Sequence, residues 1–479
     1  MRYTLIRIRK QQVNRKLEKD MKKTQYAELV KPYQKDLLNN LKEFVAIDST
    51  NYGTMNDENN PFGPGVSCAL AFIASLAESD GFKVKNYDNK IVEILCGEEE
   101  ENVTIMAHAD VVPATGKWTG EPFVVRQKGD ILYGRGVSDD KGPCLASYYA
   151  LKALRDNNRI KGYQVRLLVG GNEESGSLCM EHYFKELKAK QPTYGFSPDA
   201  DWPVVFAEKG IFNFVVEDDF DIPGLISIEG GLASNAVIDL AKIVVNDEKF
   251  VNAIKALDKV TSKVEEKDGF YYIEVYGKAA HGSVPQFGIN AVLESLVAIA
   301  SVANNEEFTN LVNKLNTTNG AGFNAVTKSD TMGENSSNLG IFSLKNGHLK
   351  AVVNFRFVNG TSYEEMSKIV IENAKPSKVS VSGPSALLYF PKDSPLISTL
   401  MSSYQEETGD YKSEPISMGG GTYAKEADNV VAFGMQYQDF DTHMHEPDER
   451  VRISDLYGAI AIYANAIEKL GSLIINKRK

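Results

Sequence analysis

The hydrophobic positions in the first part of the chain follow two different periods. Apolar residues fill short continuous runs, as in buried strands, at 91–95, 103–107 and 165–170. They recur every three or four positions, as on one face of a helix, at 33–47, 68–76, 141–154 and 180–190. Strands that alternate with helices in this way predict an α/β layer with a mostly parallel sheet.

The pattern changes after about residue 203. Strand-like runs now lie at 212–217, 271–276, 339–344 and 349–357, and helical spacing lies at 248–264, 290–304 and 362–374. Ser362, with Glu365 three residues later, is a capping-box signature for the last of these helices. This mixed order predicts an inserted α+β unit. Past residue 395, a helix, a glycine-rich turn, an apolar run at 430–434 and a final helix at 455–470 indicate a return to the first layer.

We therefore predict an α/β fold in which a mixed, mostly parallel sheet flanked by helices carries an inserted α+β lid domain. The first domain is expected to comprise residues 21–205 plus 390–479, and the lid residues 206–389. The insert is long enough to form a domain of its own.

Composition narrows the class of protein. Of 479 residues, 43% are hydrophobic and 24% are charged, which is typical of a globular chain and excludes wholesale disorder, collagen and coiled coil. No uncharged apolar run reaches the length of a membrane span, and the N-terminal region has no signal-peptide core. The four cysteines form neither a CxxC pair nor a disulfide pattern. We therefore expect a cytoplasmic protein with no membrane partner.

Charge is unevenly distributed along the chain. The net charge is −11, yet residues 1–23 hold nine Lys or Arg against two acids. An acidic body disfavours nucleic acid as the main partner. The basic segment is either a solvated tail or an arm for nucleic acid or a membrane, and such runs are more often solvated. Met21 offers an alternative start, so residues 1–20 can also be a mis-assigned extension.

Two motifs in the first domain combine histidine and aspartate. The run IMAHADVVP presents His108 and Asp110, which point to the same side of an extended chain, so that Asp110 can orient the imidazole. A loop histidine beside a capping aspartate is the plainer alternative. The run YGRGVSDDKGP presents Asp139 and Asp140, adjacent acids that need a cation or solvent. The N-terminus of a helix would also favour such a pair.

Two further motifs add carboxylates at predicted strand ends. The run LLVGGNEESGS presents Glu173 and Glu174, of which one can bind a metal while the other takes a proton from water. The run FSPDADWP presents Asp199. A polar loop and an aspartate in a turn are the alternatives for these two motifs. Because a parallel sheet brings successive strand ends to one edge, however, so many acids together would repel each other without multivalent cations. Histidine and carboxylate ligands suit Zn, Mn or Co.

The motifs together resemble a known enzyme group. The runs HADVVP, GRGVSDDKGP, NEESGS, SPDADWP and HEPDE are similar to those of the co-catalytic metallopeptidases of the aminoacylase, acetylornithine deacetylase and glutamate carboxypeptidase type. The similarity is greatest to PepV-like bacterial dipeptidases, including carnosinase-like members. The runs YGKAAHGSVPQ, NFRF and MGGGTYAKEA extend it through the chain after Met21.

The resemblance implies two divalent metal ions per chain, Zn or Mn, with Co as a further choice. His108 and Asp199 would hold one ion, Glu174 and His445 would hold the other, and Asp139 would bridge both. In such enzymes a cis peptide bond tends to follow this aspartate.

The second imidazole has two candidates among the six histidines of the chain. Both His443 and His445 lie in the run THMHEPDER. His445 matches the His-x-x-Asp-Glu pattern of the family, and His443 is the competing choice.

The resemblance also implies the remaining roles. Glu173 would be the general base that activates a metal-bridging water, and Asp110 would orient His108. His281, in the insert, would stabilise the oxyanion. The residues implied for holding the substrate carboxylate are Arg356, Asn235, Gly420 and Gly421.

The function that the resemblance implies is metal-dependent hydrolysis of dipeptides or short peptides with a free C-terminus. Because His281 and Arg356 lie in the insert, the two domains would have to close on the peptide about a hinge near residues 205 and 390. A long insert implies that a monomer is complete, with a homodimer as the alternative. Two other functions stay open: an N-acyl-amino-acid deacylase of desuccinylase or deacetylase type, and a catalytically silent peptide-binding protein.

Overall fold

The computed structural model of the protein describes residues 24–478, so the expectations about the basic tail and Met21 lie outside the described residues. The chain divides into two compact units. Among the described residues, the first unit comprises 24–206, 390–416 and 422–478, and the second comprises 207–389 and 417–421. The segment 417–421 thus groups with the second unit, whereas the sequence analysis assigned it to the first domain.

The first unit is built on a six-stranded sheet. The helices of this unit are Gln25–Val30, Gln34–Val45, Pro64–Ser79, Lys141–Asp156, Leu178–Glu181, Pro395–Thr408 and Ile453–Lys477. Its sheet strands, in spatial order, are Lys83–Tyr87, Ile91–Cys96, Gln164–Gly170, Asn102–His108, Tyr194–Ser197 and Val430–Ala432. Shorter strands are Arg126–Lys128, Ile131–Tyr133, Ala200–Asp201, Met435–Gln436 and Arg450–Arg452.

The pairing of the six strands decides where their ends lie. The first two neighbouring pairs are antiparallel and the other three are parallel, so the sheet is mixed and mostly parallel, as predicted. The neighbours Gln164–Gly170, Asn102–His108 and Tyr194–Ser197 run in the same direction. Their carboxyl ends therefore open on one edge of the sheet, which is where ligands of open α/β sheets bind.

The C-terminal helix forms much of the core of the first unit. Among the described residues, Ile453–Lys477 is the one helix long and apolar enough to cross a membrane, with a mean hydropathy of 1.3 in its most apolar window. Sixty-seven per cent of that window is buried inside the protein. The ring of Tyr463, on this helix, stacks on Phe196 at a centroid distance of 5.2 Å. This burial is typical of the core helix of a globular protein.

The second unit is an antiparallel sheet covered by helices. Its strands, in spatial order, are Thr261–Lys267, Phe270–Tyr276, Leu240–Val245, Leu225–Gly230, Ser336–Lys345, His348–Phe357, Gly210–Asp219 and Lys378–Ser385. Its helices are Glu248–Lys255, Ala291–Ala303, Glu306–Leu315 and Tyr363–Ala374. Side chains along Gly210–Asp219 alternate between buried and half-buried positions, as expected when one face of a sheet packs on helices. Ser362 caps Tyr363–Ala374 by accepting the N–H of Glu365 at 3.2 Å, which confirms that helix start.

The predicted helix over 248–264 is wrong in its second half. The helix ends at Lys255, and Thr261–Lys267 is instead a strand that forms a hairpin with Phe270–Tyr276. Asp268 and Gly269, with φ of 52° and 79°, make the two-residue turn, and Asp-Gly is a strong hairpin signal. The helix predicted over 180–190 is also too long: Leu178–Glu181 continues only as a single wider turn to Glu186.

We expect replacement of Phe196 by alanine to destabilise the first unit. The Phe196 ring is fully buried, 5.2 Å from the ring of Tyr463 and 5.6 Å from that of Phe433. Removing such a ring leaves a cavity and typically lowers the free energy of unfolding by about 3–5 kcal/mol. Denaturant unfolding followed by circular dichroism measures the loss. Phe287→Ala, which removes a ring that is 66% exposed, is the matched control and should change stability by less than about 0.5 kcal/mol. Equal losses in the two variants would contradict the packing described.

Candidate metal centre

His108 is the last residue of the central strand Asn102–His108, and its ring is held on both sides. Its Nδ1 lies 3.0 Å from the backbone oxygen and 3.4 Å from Oδ1 of Asp110. Its Nε2 lies 3.0 Å from Oδ1 of Asp139 and 3.8 Å from Oδ2 of Asp199. Burial alone would lower the pKa of His108, but hydrogen bonds with Asp110 and Asp139 raise it well above its usual value. Asp110 thus orients the ring so that Nε2 faces the acids.

Asp139 and Asp140 are both buried, and they point to different partners. They lie in the glycine-rich loop between the strand Ile131–Tyr133 and the helix Lys141–Asp156, not at the end of a strand of the main sheet as expected. The peptide bond between them is cis, as expected. Oδ2 of Asp140 accepts the backbone N–H of His108 at 3.0 Å, so this pair is not a solvated helix terminus. Burial raises the pKa of Asp140 well above its ordinary value.

The two oxygens of Asp139 face two different imidazoles. Oδ1 is 3.0 Å from Nε2 of His108, and Oδ2 is 2.8 Å from Nε2 of His445. Burial would raise the pKa of Asp139, but the two histidines hold it far below its ordinary value. Burial would likewise lower the pKa of His445, yet its hydrogen bonds to Asp139 and Glu174 raise it to about 11.

His445 rather than His443 reaches the acids. Nε2 of His445 also lies 3.3 Å from Oε2 of Glu174. His443 instead places Nδ1 3.2 Å from the backbone oxygen of Pro447 and Nε2 3.3 Å from Asp441. The geometry therefore distinguishes two histidines that are only two positions apart in the sequence.

Glu173 and Glu174 follow the strand Gln164–Gly170 and are anchored through their backbones. Their N–H groups donate to Oδ1 and Oδ2 of Asp110 at 3.1 and 3.2 Å, respectively. Asp110 therefore holds both the ring of His108 and the loop of Glu173 and Glu174 in place. Burial raises the pKa of Glu173 well above its usual value, and the charge of Asp199 adds to the shift. Oε1 of Glu174 is buried and has no hydrogen-bond partner among residues 24–478.

These side chains form two overlapping groups that can each hold a cation. His108, Glu173 and Asp199 offer ligand atoms within 4.8 Å of one another, and so do His108, Asp139 and Glu174. Burial and the charge of Asp139 raise the pKa of Asp199 to about 7. Crowded buried acids and an unpartnered carboxylate oxygen fit divalent cations, which relieve the repulsion. Glu173 belongs to the first group, although the resemblance assigns it the role of base.

Two residues that were not predicted hold the loops that carry the candidate metal ligands. Asn51 donates its amide N–H groups to Oδ2 of Asp110 and to the backbone oxygen of Gly171, both at 3.0 Å. It lies in the polar loop before the helix Pro64–Ser79, where nothing in the sequence pattern distinguishes it. The buried Glu449 accepts Nη1–H of Arg135 at 2.7 Å and several backbone N–H groups of the loop that carries Asp139. Those groups are the N–H of residues 136, 138 and 139, at 2.9–3.2 Å. Glu449 belongs to the HEPDE run, so this motif is the sequence feature that could have identified it.

The residues assigned to the substrate all belong to the second unit. The backbone oxygen of Asn235 accepts the N–H of Gly282 at 2.7 Å, so Asn235 and His281 lie on adjacent segments. The buried Arg356 donates Nε–H to Oδ1 of Asn354 at 2.9 Å and Nη1–H to the backbone oxygen of Gly419 at 2.5 Å. Burial lowers the pKa of Arg356 to about 10. Gly420 and Gly421 follow in the same segment as Gly419.

Known proteins resemble this chain in sequence and in fold. The profile described as "Peptidase family M20/M25/M40" matches residues 104–469. A Bacillus subtilis (strain 168) protein named "Putative dipeptidase YtjP" is 32% identical over 459 residues, which cover 91% of this chain and 97% of that protein.

Two solved structures share the fold. Human carnosine dipeptidase 1 has a TM-score of 0.56 at 16% identity, covering 93% of this chain and 99% of that one. The M20 family metallo-carboxypeptidase Sso-CP2 from Sulfolobus solfataricus has a TM-score of 0.57 at 18% identity, covering 91% and 99%. Because the family profile spans most of the chain and the relative aligns over nearly its full length, the chain is a peptidase of family M20/M25/M40.

Proposed function

We propose that this peptidase is a dinuclear metal-dependent dipeptidase, which cleaves dipeptides or short peptides with a free C-terminus. One observation carries the proposal. His108, His445 and four carboxylates from distant parts of the sequence meet at one edge of the sheet. Peptide-bond hydrolysis needs an activated water and a stabilised oxyanion, and a pair of divalent ions supplies both.

We assign the ligands of the two ions as follows. His108 and Asp199 hold one ion, Glu174 and His445 hold the other, and Asp139 contributes to both. The opposed oxygens of Asp139, each facing one imidazole, support the bridging role. Two imidazoles with carboxylates suit Zn or Mn, with Co as a further choice. When bound, such ions lower the pKa of water and polarise the scissile carbonyl.

Glu173 is the proposed general base. It takes a proton from the attacking water as the new C–O bond forms, and it returns that proton to the amine nitrogen as the C–N bond breaks. Oε2 of its neighbour Glu174 lies 3.3 Å from Nε2 of His445. Glu173 instead has a carboxylate oxygen close to the ligand atoms of His108 and Asp199. The two adjacent acids thus take different roles.

The second unit is proposed to bind the substrate. Within residues 24–478, the guanidinium of Arg356 is buried and donates to the neutral oxygens of Asn354 and Gly419. A buried cation without a carboxylate partner is costly, which favours an anionic ligand such as a C-terminal carboxylate. His281 would stabilise the oxyanion. Asn235 and the backbone of Gly420 and Gly421 would complete the binding of the carboxylate.

The remaining proposals concern the state of the protein. Because the proposed catalytic and substrate-binding groups belong to different units, we propose that the units close on the peptide about hinges near residues 205 and 390. A monomer is then complete in all proposed groups, and a homodimer is the alternative. We propose a cytoplasmic location, which agrees with free thiols at all four cysteines.

Glu173→Gln should abolish most of the peptidase activity while the protein keeps its metal. The amide is close to isosteric but cannot accept the proton, and loss of a general base typically lowers kcat about 10²- to 10⁴-fold. Initial rates on a panel of Ala-, Gly- and β-Ala-dipeptides, beside N-acetyl and N-succinyl amino acids, give the effect. Metal content by atomic spectroscopy is the control. A wild-type protein that binds metal but turns over no peptide would favour the silent binding protein, and turnover of acyl substrates alone would favour the deacylase.

Arg356→Met should remove the preference for a free carboxylate. Loss of a charge-assisted hydrogen bond of about 1.5–3 kcal/mol lowers kcat/KM roughly 10- to 100-fold, mainly through KM. The wild type should prefer a dipeptide over its C-terminal amide, and the variant should not distinguish them. An unchanged preference in the variant would remove Arg356 from the site.

Glu449→Gln should weaken the binding of added Mn²⁺ or Zn²⁺. The substitution removes the buried charge and turns an amide N–H towards Arg135, so the loop that carries Asp139 loses its anchor. Loss of residues that hold metal ligands in place lowers metal affinity about 10- to 100-fold. Calorimetric titration of the metal-free full chain measures affinity without any substrate. Glu98→Gln, which breaks the exposed ion pair with Lys83, is the matched control and should leave the affinity unchanged. Equal affinities in the wild type and the Glu449 variant would contradict the positioning role.

A further inference from the structure

Ser283 contacts the ring of His281 in two ways. Its Oγ lies 2.6 Å from Nδ1 of His281, and its backbone N–H is directed at the same nitrogen at 3.4 Å. A hydroxyl can donate or accept, but a backbone N–H can only donate. Nδ1 must therefore be an acceptor, and a neutral ring that accepts at Nδ1 carries its proton on Nε2.

Gly419 links this histidine to Arg356. A Cβ on Gly419 would lie 2.6 Å from Cβ of Ser283, which is closer than real side chains approach, so only glycine allows the contact. The backbone oxygen of the same glycine accepts Nη1–H of Arg356 at 2.5 Å. His281 thus contacts Ser283, Ser283 contacts Gly419, and Gly419 contacts Arg356. All four residues belong to the second unit.

Arg356 is in turn fixed from its other side. Its Nε–H donates to Oδ1 of Asn354 at 2.9 Å, and Nδ2 of Asn354 donates to Oδ1 of Asn213 at the same distance. Both asparagines lie on strands of the antiparallel sheet, which are rigid elements. The guanidinium is therefore held between the sheet and the backbone of Gly419.

We propose that Ser283 is a positioning residue that holds His281 in the Nε2–H tautomer, and that its contact with Gly419 fixes this donor relative to Arg356. The inference rests on the proposed function, in which His281 meets the reacting carbonyl and Arg356 the terminal carboxylate. A dipeptide has one residue between these two groups. Holding donor and cation in one unit therefore fixes the separation that a substrate must span between its scissile carbonyl and its terminal carboxylate.

The tautomer is tested without substrate. In the metal-free full chain with ¹⁵N-labelled histidine, two-bond ¹H–¹⁵N correlation distinguishes protonated from unprotonated ring nitrogens. The signals of His281 are those lost in His281→Gln, among the six histidines of the chain. At a pH where this ring is neutral, we expect the proton on Nε2, and in Ser283→Ala a shift of the Nδ1 resonance towards that of a free, exchanging ring. A proton on Nδ1 in the wild type would overturn the proposal, even if the protein proved inactive on every peptide.

Kinetics test the effect on the reaction. Ser283→Ala should lower kcat about five- to tenfold, the effect of one hydrogen bond, and leave KM for a dipeptide nearly unchanged. Ser377→Ala is the matched control, because its hydroxyl also bonds a single side chain, that of Asp218. Asp218 lies on the same sheet, seven positions along its strand from Ile211, the residue paired with Arg356. It should leave both constants unchanged. No change of kcat in Ser283→Ala would overturn the positioning role.

A pair of variants tests the contact with Gly419. Gly419→Ala places a methyl group against Cβ of Ser283 and should raise KM and lower kcat, because both Arg356 and His281 shift. In a Ser283→Gly background the opposing Cβ is gone, so the same alanine should cost severalfold less in KM. Additive effects in the two backgrounds would overturn the proposed link.

Discussion

Repulsion among buried carboxylates is the constraint on which the first unit depends. Asp139, Glu173, Glu174 and Asp199 lie within reach of two imidazoles, with little access to solvent. Burial disfavours their charged forms, and each charge disfavours the next. The fold brings them together nonetheless: Glu173, Glu174 and Asp199 follow parallel strands that end at one edge, and Asp139 comes from the loop before the helix Lys141–Asp156. Such an edge is stable with its acids ionised only when cations share the space.

The residues that hydrogen-bond to the proposed metal ligands, and to their loops, determine how accurately those ligands are placed. One carboxylate, that of Asp110, orients His108 and also accepts the backbone N–H groups of the glutamate loop. A second carboxylate, that of Glu449, does the same for the loop of Asp139 and lies four residues after His445. Each of these acids satisfies several buried donors at once, so each joins loops that are far apart in sequence. The ligand geometry is therefore a property of loops tied together in pairs.

The second unit differs from the first in having an antiparallel sheet that carries the residues proposed to bind the substrate. In the proposed function it presents neutral donors and the cation of Arg356 to the substrate carboxylate. The strands hold Asn354 and Arg356, and a segment that returns late in the sequence, 417–421, supplies the backbone between Arg356 and Ser283. The absence of a side chain at Gly419 is as specific a requirement as the presence of the arginine.

The sequence by itself indicated a peptidase with a metal centre, because the motifs that carry His108, Asp139, Glu174 and Asp199 are short and local. It also predicted most helices and strands, since these depend on the spacing of apolar residues within a short window. The hairpin with Asp268 in its turn was not predicted, because the apolar residues of its first strand also fit helical spacing. The resemblance favoured His445 over His443 from the motif alone, and the structure places His445 beside Asp139. Only the tertiary structure identified Asn51, Glu449 and Ser283 as supports. A supporting residue is defined by what it contacts across the fold, and hydrogen bonds between distant segments leave no periodic trace in the chain.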